Sequence, residues 1–354
     1  MTDKFFELLC DQLRRHPSAL PQDIVKLCYQ AAFGAEHLLA DVHAARAYFD
    51  AEYDAVKPAS GEPYELLSED VCRINLAGWK SRGLPREWLF NMFLQSATPR
   101  EGGEALFARY LDAVPSVLES TGCAFSFDDW RAYVDSYLES GGGAVHHSER
   151  YRKCERPAYR IVKSEFLNIL PILCAAAPLA AGEGVKVIAV DGRAASGKST
   201  AAALLAPILG AGVIHMDDFF LPPELRTAER LSEPGGNVHY ERFAEQVLPH
   251  LHEKTAFSYD IFDCSRMKMG AERKVDAGEW RIVEGAYSHH PVFGNYADLR
   301  VFSDVAPDEQ MRRIIARDGE RMAKMFRDRW IPMEERYIEY FGIKQRADAV
   351  IGEL

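Results

Sequence analysis

The run "VKVIAVDGRAASGKSTAAALLAPIL" (residues 185–209) constrains the fold more than any other. Its first six residues are mostly apolar without alternation, which suits a strand buried on both faces. The next residues carry little side-chain bulk, and an Ala- and Leu-rich helical pattern follows. A buried strand, a glycine loop and a helix in that order belong to a parallel sheet with crossover helices. Gly192 to Ser199 fit the pattern G-x-x-x-x-G-K-[ST]. Without bulk at Gly192, Ala194, Ala195, Ser196 and Gly197, backbone N–H groups can wrap a phosphate chain. The helix from about Ser199 adds the partial positive charge of its N-terminus. Lys198 is expected to reach the β- and γ-phosphates of ATP, Ser199 to ligate Mg²⁺, and Thr200 to complete the nucleotide-binding set. The competing reading is a chance match in a small-residue turn, and the strand before and helix after argue against it.

About 180 residues precede this motif in a chain of 354. That length suggests two domains. The expected division is a mainly α-helical domain over 1–178 and an α/β domain over 183–354, a doubly wound parallel sheet. The weakly patterned "CAAAPLAAGEGVK" (174–186) is read as the linker. The net charge of −11 speaks against general binding to nucleic acid. No apolar run reaches the length of a bilayer span. Seven scattered cysteines without a C-x-x-C pair suggest reduced thiols and a cytoplasmic protein. Nothing in the composition decides between a monomer and a homo-oligomer.

Three later segments carry chemistry. The strand "GVIH" leads into "MDDFF", and a carboxylate at a strand's C-terminal edge faces the crevice that the phosphate loop borders. Asp217 there can take the proton of an attacking hydroxyl. Either Asp217 or Asp218 can instead cap the following turn. The strand "RIVEGAY" (281–287) ends in Glu284, positioned to serve Mg²⁺ directly or through water. The basic run 312–329 places Arg313, Arg317 and Arg321 four apart, on one helix face if the helix is continuous. Such a row can close over a triphosphate, although a solvated, ion-paired face is the commoner meaning of such runs.

With these motifs in place, residues of about 185–354 resemble the uridine kinase and phosphoribulokinase group of P-loop kinases. The loop "GRAASGKS" is similar to theirs, and Asp217, Asp218, Phe219 and Phe220 stand where they show D-S-F-Y. Tyr259, Asp260, Ser265 and Arg266 match a Y-D-F…S-R segment. Glu284 and Gly285 match a strand end, the Arg-rich run matches a lid, and Ala347 and Asp348 match an A-D near the C-terminus. The resemblance implies an ATP- and Mg²⁺-dependent kinase acting on a small-molecule hydroxyl. It makes Asp217 the general base and gives Lys198, Arg317 and Arg321 catalytic roles. It assigns Mg²⁺ to Ser199 and Glu284, and the acceptor to Asp217, Phe220, His239, Tyr259 and Arg266. A nucleoside such as uridine is the leading acceptor. A sugar, a sugar phosphate or a pantothenate-like alcohol is the alternative, as is an ATP-dependent switch with no acceptor. The departures fall on the acceptor side and in the lid. Cys264 replaces the histidine that meets the nucleobase. The acid of the family's D-H-P segment is lost in "GGNVHYERF", and the spacing within the lid differs.

The first half is less specific. Apolar residues from Ile24 to Phe49 recur at helical spacing and suggest one long amphipathic helix, with Gln30, His37 and Asp41 along a flank. His37, Arg73, His147, Arg152 and Arg160 can be read as a pocket for an anionic ligand, or as polar residues of a helical domain. A metal site from His37, His146 and His147 has no supporting spacing.

Overall fold

The computed structural model describes residues 2–35, 41–121 and 123–352. The chain forms two compact units, Met1–Phe166 and Leu167–Leu354.

The first unit is mainly helical, around a small sheet that the helical patterning does not announce. Strands β1 (Tyr64–Leu66), β2 (Val71–Asn75) and β3 (Tyr159–Lys163) pair antiparallel in that order. The stripe from Ile24 to Phe49 belongs to two helices, Pro21–Phe33 and Val42–Ala55. Gly34 ends the first with φ 61. Asp41 caps the second, accepting from the backbone N–H of His43 at 2.8 Å and of Ala44 at 3.1 Å. A periodic apolar stripe records which face is buried and is blind to a break between two helices of similar phase. Gln30 and Asp41 therefore sit on different helices, and His37 lies outside the described residues.

The second unit begins with the helix Leu170–Ala180, so much of the stretch expected as a linker is helical. The unit boundary falls at Phe166/Leu167, earlier than the expected 178. Strand β4 (Lys186–Gly192) follows and is buried along its whole length. Then come the helix Lys198–Leu209, β5 (Ala211–His215), β6 (Phe257–Asp263), β7 (Lys268–Val275), β8 (Trp280–Glu284), β9 (Leu299–Ser303) and β10 (Ala349–Ile351). Five strands form a parallel sheet in the order β10-β9-β4-β8-β5. The helix Leu170–Ala180 packs on β9 and β10. Strands β6 and β7 form an antiparallel hairpin outside the sheet. The strand after β4 in sequence does not pair with it, because β8 lies between β4 and β5. The carboxyl ends of β4, β5 and β8 thereby open toward one crevice, as parallel α/β sheets require.

Gly192 fixes how tightly the loop leaves β4. It holds φ 144, and a Cβ there would lie 2.0 Å from the carbonyl oxygen of Ser303 on the neighbouring β9. Backbone cannot yield that space. Gly192→Ala is expected to cost about 3 kcal/mol or more, read as a lowered midpoint in urea unfolding.

Candidate active site

The phosphate loop is held by buried acids. Asp191, the last carboxylate of β4, is 1% exposed. Its Oδ1 accepts from the backbone N–H of Gly192 at 2.7 Å and of Tyr287 at 3.1 Å. Its Oδ2 accepts from the N–H of His289 and from the Tyr337 hydroxyl, both at 2.8 Å. Glu334, on the helix Ile331–Phe341, accepts the N–H of Ala194 at 2.9 Å. Gln310 donates to the Ala194 carbonyl at 3.0 Å. The Lys198 ammonium folds back onto the loop, donating to the carbonyls of Gly192 at 3.0 Å and Arg193 at 2.7 Å.

The loop borders a crevice of about 870 Å³. Lys198, Ser199, Thr200, Asp217, Phe220 and Glu284 all line it. Parallel pairing places His215 beside Glu284 at the ends of β5 and β8. Glu284 is buried; its Oε2 accepts from the Ser199 hydroxyl at 2.9 Å, and its Oε1 meets His215 Nδ1 at 2.5 Å. Ser199 and Glu284 thus present two adjacent hard oxygen donors. That set fits Mg²⁺, which takes one or two protein oxygens and fills its octahedron with phosphate and water.

The two adjacent aspartates have different environments. Asp218 is buried, and its carboxylate accepts from the Tyr259 hydroxyl at 2.9 Å and from Arg273 Nε at 2.7 Å. Asp217 opens to the crevice, walled by protein. That enclosure raises its carboxyl above the ordinary range; nearby Lys198 opposes the shift, and Glu284 and Asp218 add to it. Of the pair, Asp217 is the carboxylate free to meet a substrate.

Three residues expected at the acceptor lie elsewhere. Tyr259 is 2% exposed and sits in the core, donating to Asp218 and accepting the His215 N–H at 3.1 Å. His239 caps the helix Tyr240–Gln246 by accepting the Arg242 N–H at 3.2 Å. Arg266 points to solvent beside Asp263. In the lid, Gly319 takes φ 78 and ψ 167 inside the helix Pro307–Met325 and breaks it. Arg313 and Arg317 precede the break and line the crevice; Arg321 follows it, is exposed and does not. Fourfold spacing gives a shared face only along an unbroken helix. Beyond the break, Phe326, Arg329 and Trp330 line the crevice instead. Asp191, His215, Arg226, Asn237 and Glu334 escaped the sequence reading. His215 alone had a signal there, two positions before the acidic pair.

In the first unit, Arg73 and His147 belong to one buried polar chain. Arg73 donates to Gln30 Oε1 at 2.6 Å and stacks on the Tyr159 ring, whose hydroxyl is 2.7 Å from His147 Nε2. His147 Nδ1 lies 3.0 Å from Asp23. Burial lowers His147 to about 4, against the pull of Asp23. Arg160 pairs with Glu52, and Arg152 is exposed. Among the described residues, no cluster of three His, Cys, Asp or Glu side chains could hold a metal ion, and no helix is long and apolar enough to cross a membrane.

No family model matches the chain, and no curated protein matches it. Solved structures do. A possible uridine kinase from Bacillus stearothermophilus is 21% identical, with 52% of this chain and 99% of that one covered at a TM-score of 0.40. A protein described as a fructose transport system kinase, from a Silicibacter species, is 21% identical over 52% of this chain and 97% of its own, with a TM-score of 0.40. Each match covers about half of this chain.

Glu334 gives the site a pH signature. Burial raises its carboxyl from 4.5 to about 7; Lys198 and the Ala194 N–H oppose the shift, and Asp191 and Asp217 add to it. The folded protein keeps this proton up to about pH 7, whereas an unfolded glutamate releases it near 4.5. Stability therefore falls as pH rises through that interval, by about 3 kcal/mol from this group. Glu334→Gln is expected to flatten the slope between pH 4.5 and 7, measured by urea unfolding across a pH series.

Proposed function

We propose that the second unit transfers the γ-phosphoryl group of ATP to a hydroxyl of a small molecule. The observation that carries this reading is the convergence of Lys198, Ser199, Glu284 and an uncommitted Asp217 on one crevice. A phosphate loop alone serves switches as well as enzymes. A carboxylate that is raised, open to the crevice and without an ion pair among the described residues suits a general base.

In the reaction, Asp217 accepts the hydroxyl proton as the acceptor oxygen bonds to the γ-phosphorus. The bond from that phosphorus to the β,γ-bridging oxygen breaks, and ADP leaves. Lys198 exchanges its loop carbonyls for phosphate oxygens, while Arg313 and Arg317 offset charge on the transferring group. Ser199 and Glu284 would hold Mg²⁺, which neutralises phosphate charge when bound. Phe220 on the crevice wall offers a face on which a ring can stack, which keeps a nucleoside such as uridine the leading acceptor. A sugar, sugar phosphate or pantothenate-like alcohol is the second reading, favoured by Cys264 at the acceptor end, because a thiol is a poor partner for a base edge.

Acceptor-dependent ADP formation tests the proposal. Lys198→Ala is expected to lower kcat/KM by about 10² or more; near-normal turnover in this variant would exclude the assignment. Asp217→Asn should bind ATP with unchanged affinity and lose about 10² in kcat. Asp218→Asn should lower the melting temperature, because it weakens the pair with Arg273 and the hydrogen bond from Tyr259. The reverse pattern would make Asp218 the base.

A further inference from the structure

The crevice contains an arginine with no counterion among the described residues. Arg226 follows the short turn Pro223–Leu225 and lines the crevice. Its Nε donates to the Leu221 carbonyl at 2.7 Å, which orients the guanidinium and leaves its two terminal nitrogens free. Among the described residues, no carboxylate pairs with it. Two lid arginines differ: Arg313 is held by Glu309 and Arg317 by Asp318, whereas Arg329, which also lines the crevice, shares with Arg226 the lack of a carboxylate partner among the described residues.

Arg226 is grouped with other unmet chemistry. The arms of its loop are tied where Leu221 N–H donates to the Asn237 carbonyl at 3.0 Å and Phe220 bridges Val238. Asn237 also lines the crevice. One end of its amide serves the Tyr287 hydroxyl, and its Oδ1 is buried with no partner. A buried acceptor left unpaired is costly unless a ligand supplies the donor. Burial raises the Cys264 thiol, and Arg226 is the charge that opposes this most, ahead of any effect of Asp217. Arg226, Asn237, Cys264 and Asp217 line the same crevice. A catalytic carboxylate repels an anionic acceptor, and a free cation close by offsets that repulsion.

We infer that the acceptor carries an anionic group, a carboxylate or a phosphate, that pairs with Arg226, and an N–H or O–H that reaches Asn237. The acceptor's hydroxyl rests on the kinase reading; the anion subsite does not. Two measurements keep these apart. The first uses Cys264 as a local probe in the full chain. Alkylation by iodoacetate and by iodoacetamide is followed at the Cys264 peptide by mass spectrometry. The ratio of the two rates reports local charge and cancels changes in thiol acidity. Arg226→Gln should lower that ratio by about fivefold, and Arg226→Lys should restore most of it. An unchanged ratio in Arg226→Gln overturns the subsite, whatever the kinetics show.

The second compares matched acceptors in ADP formation: glycerol with glycerate, pantothenol with pantothenate, fructose with fructose 6-phosphate, and uridine alone. The anionic members should lead by about tenfold or more in kcat/KM, with the lead lost in Arg226→Gln and the KM for ATP unmoved. Glycerate and pantothenate against fructose 6-phosphate separate carboxylate from phosphate. If a neutral compound leads and Arg226→Gln leaves it unchanged, the inference fails while the kinase reading stands. If no compound turns over yet the alkylation ratio falls, the subsite stands and the kinase reading is what suffers.

Discussion

The Asp191 carboxylate is the interaction on which the second unit depends. It is buried at the end of the central strand, where an unpaired charge would cost several kcal/mol. Four donors meet it, and they come from the phosphate loop, from the segment after β8 and from the helix Ile331–Phe341. One charge thereby fixes three walls of the crevice relative to β4. Glu334 on the same helix adds a second tie to the loop, accepting the Ala194 N–H with a carboxyl that keeps its proton up to about pH 7.

How readily the sequence could be read depended on how local each constraint was. The loop from Gly192 to Ser199 was legible because its strand, turn and helix are contiguous and its residue types follow from phosphate chemistry. Glu284 was legible as an acid ending an apolar strand. The choice between Asp217 and Asp218 was not, since both occupy the same strand end. Only Tyr259 and Arg273, from β6 and β7, show which acid is tied down. Arg321 was misplaced for a related reason: spacing assumes a continuous helix, and Gly319 breaks this one. In the first unit, the break at Gly34 was hidden because helices on either side bury the same kind of stripe.

Tyr259 and His239 mark a second kind of limit. Both were assigned by resemblance to an acceptor wall, and both serve the fold: one beneath Asp218, the other as a helix cap. The residues that do stand unsatisfied at that wall, Arg226 and Asn237, lie in a loop whose chemistry becomes visible only when its neighbours are counted. A missing partner is a property of three-dimensional surroundings and has no pattern in the chain.

The Asp218 clamp separates two kinds of change open to a lineage. The hairpin β6–β7 is pinned to the end of β5 through Tyr259 and Arg273, while its turn, which carries Cys264, reaches the crevice. Substitutions in that turn alter the crevice wall and leave the Asp218 clamp where it stands. The lining of the crevice is thus free to drift without disturbing the pinned strand end, and a duplicated copy of such a gene could reshape that wall through a few turn residues alone.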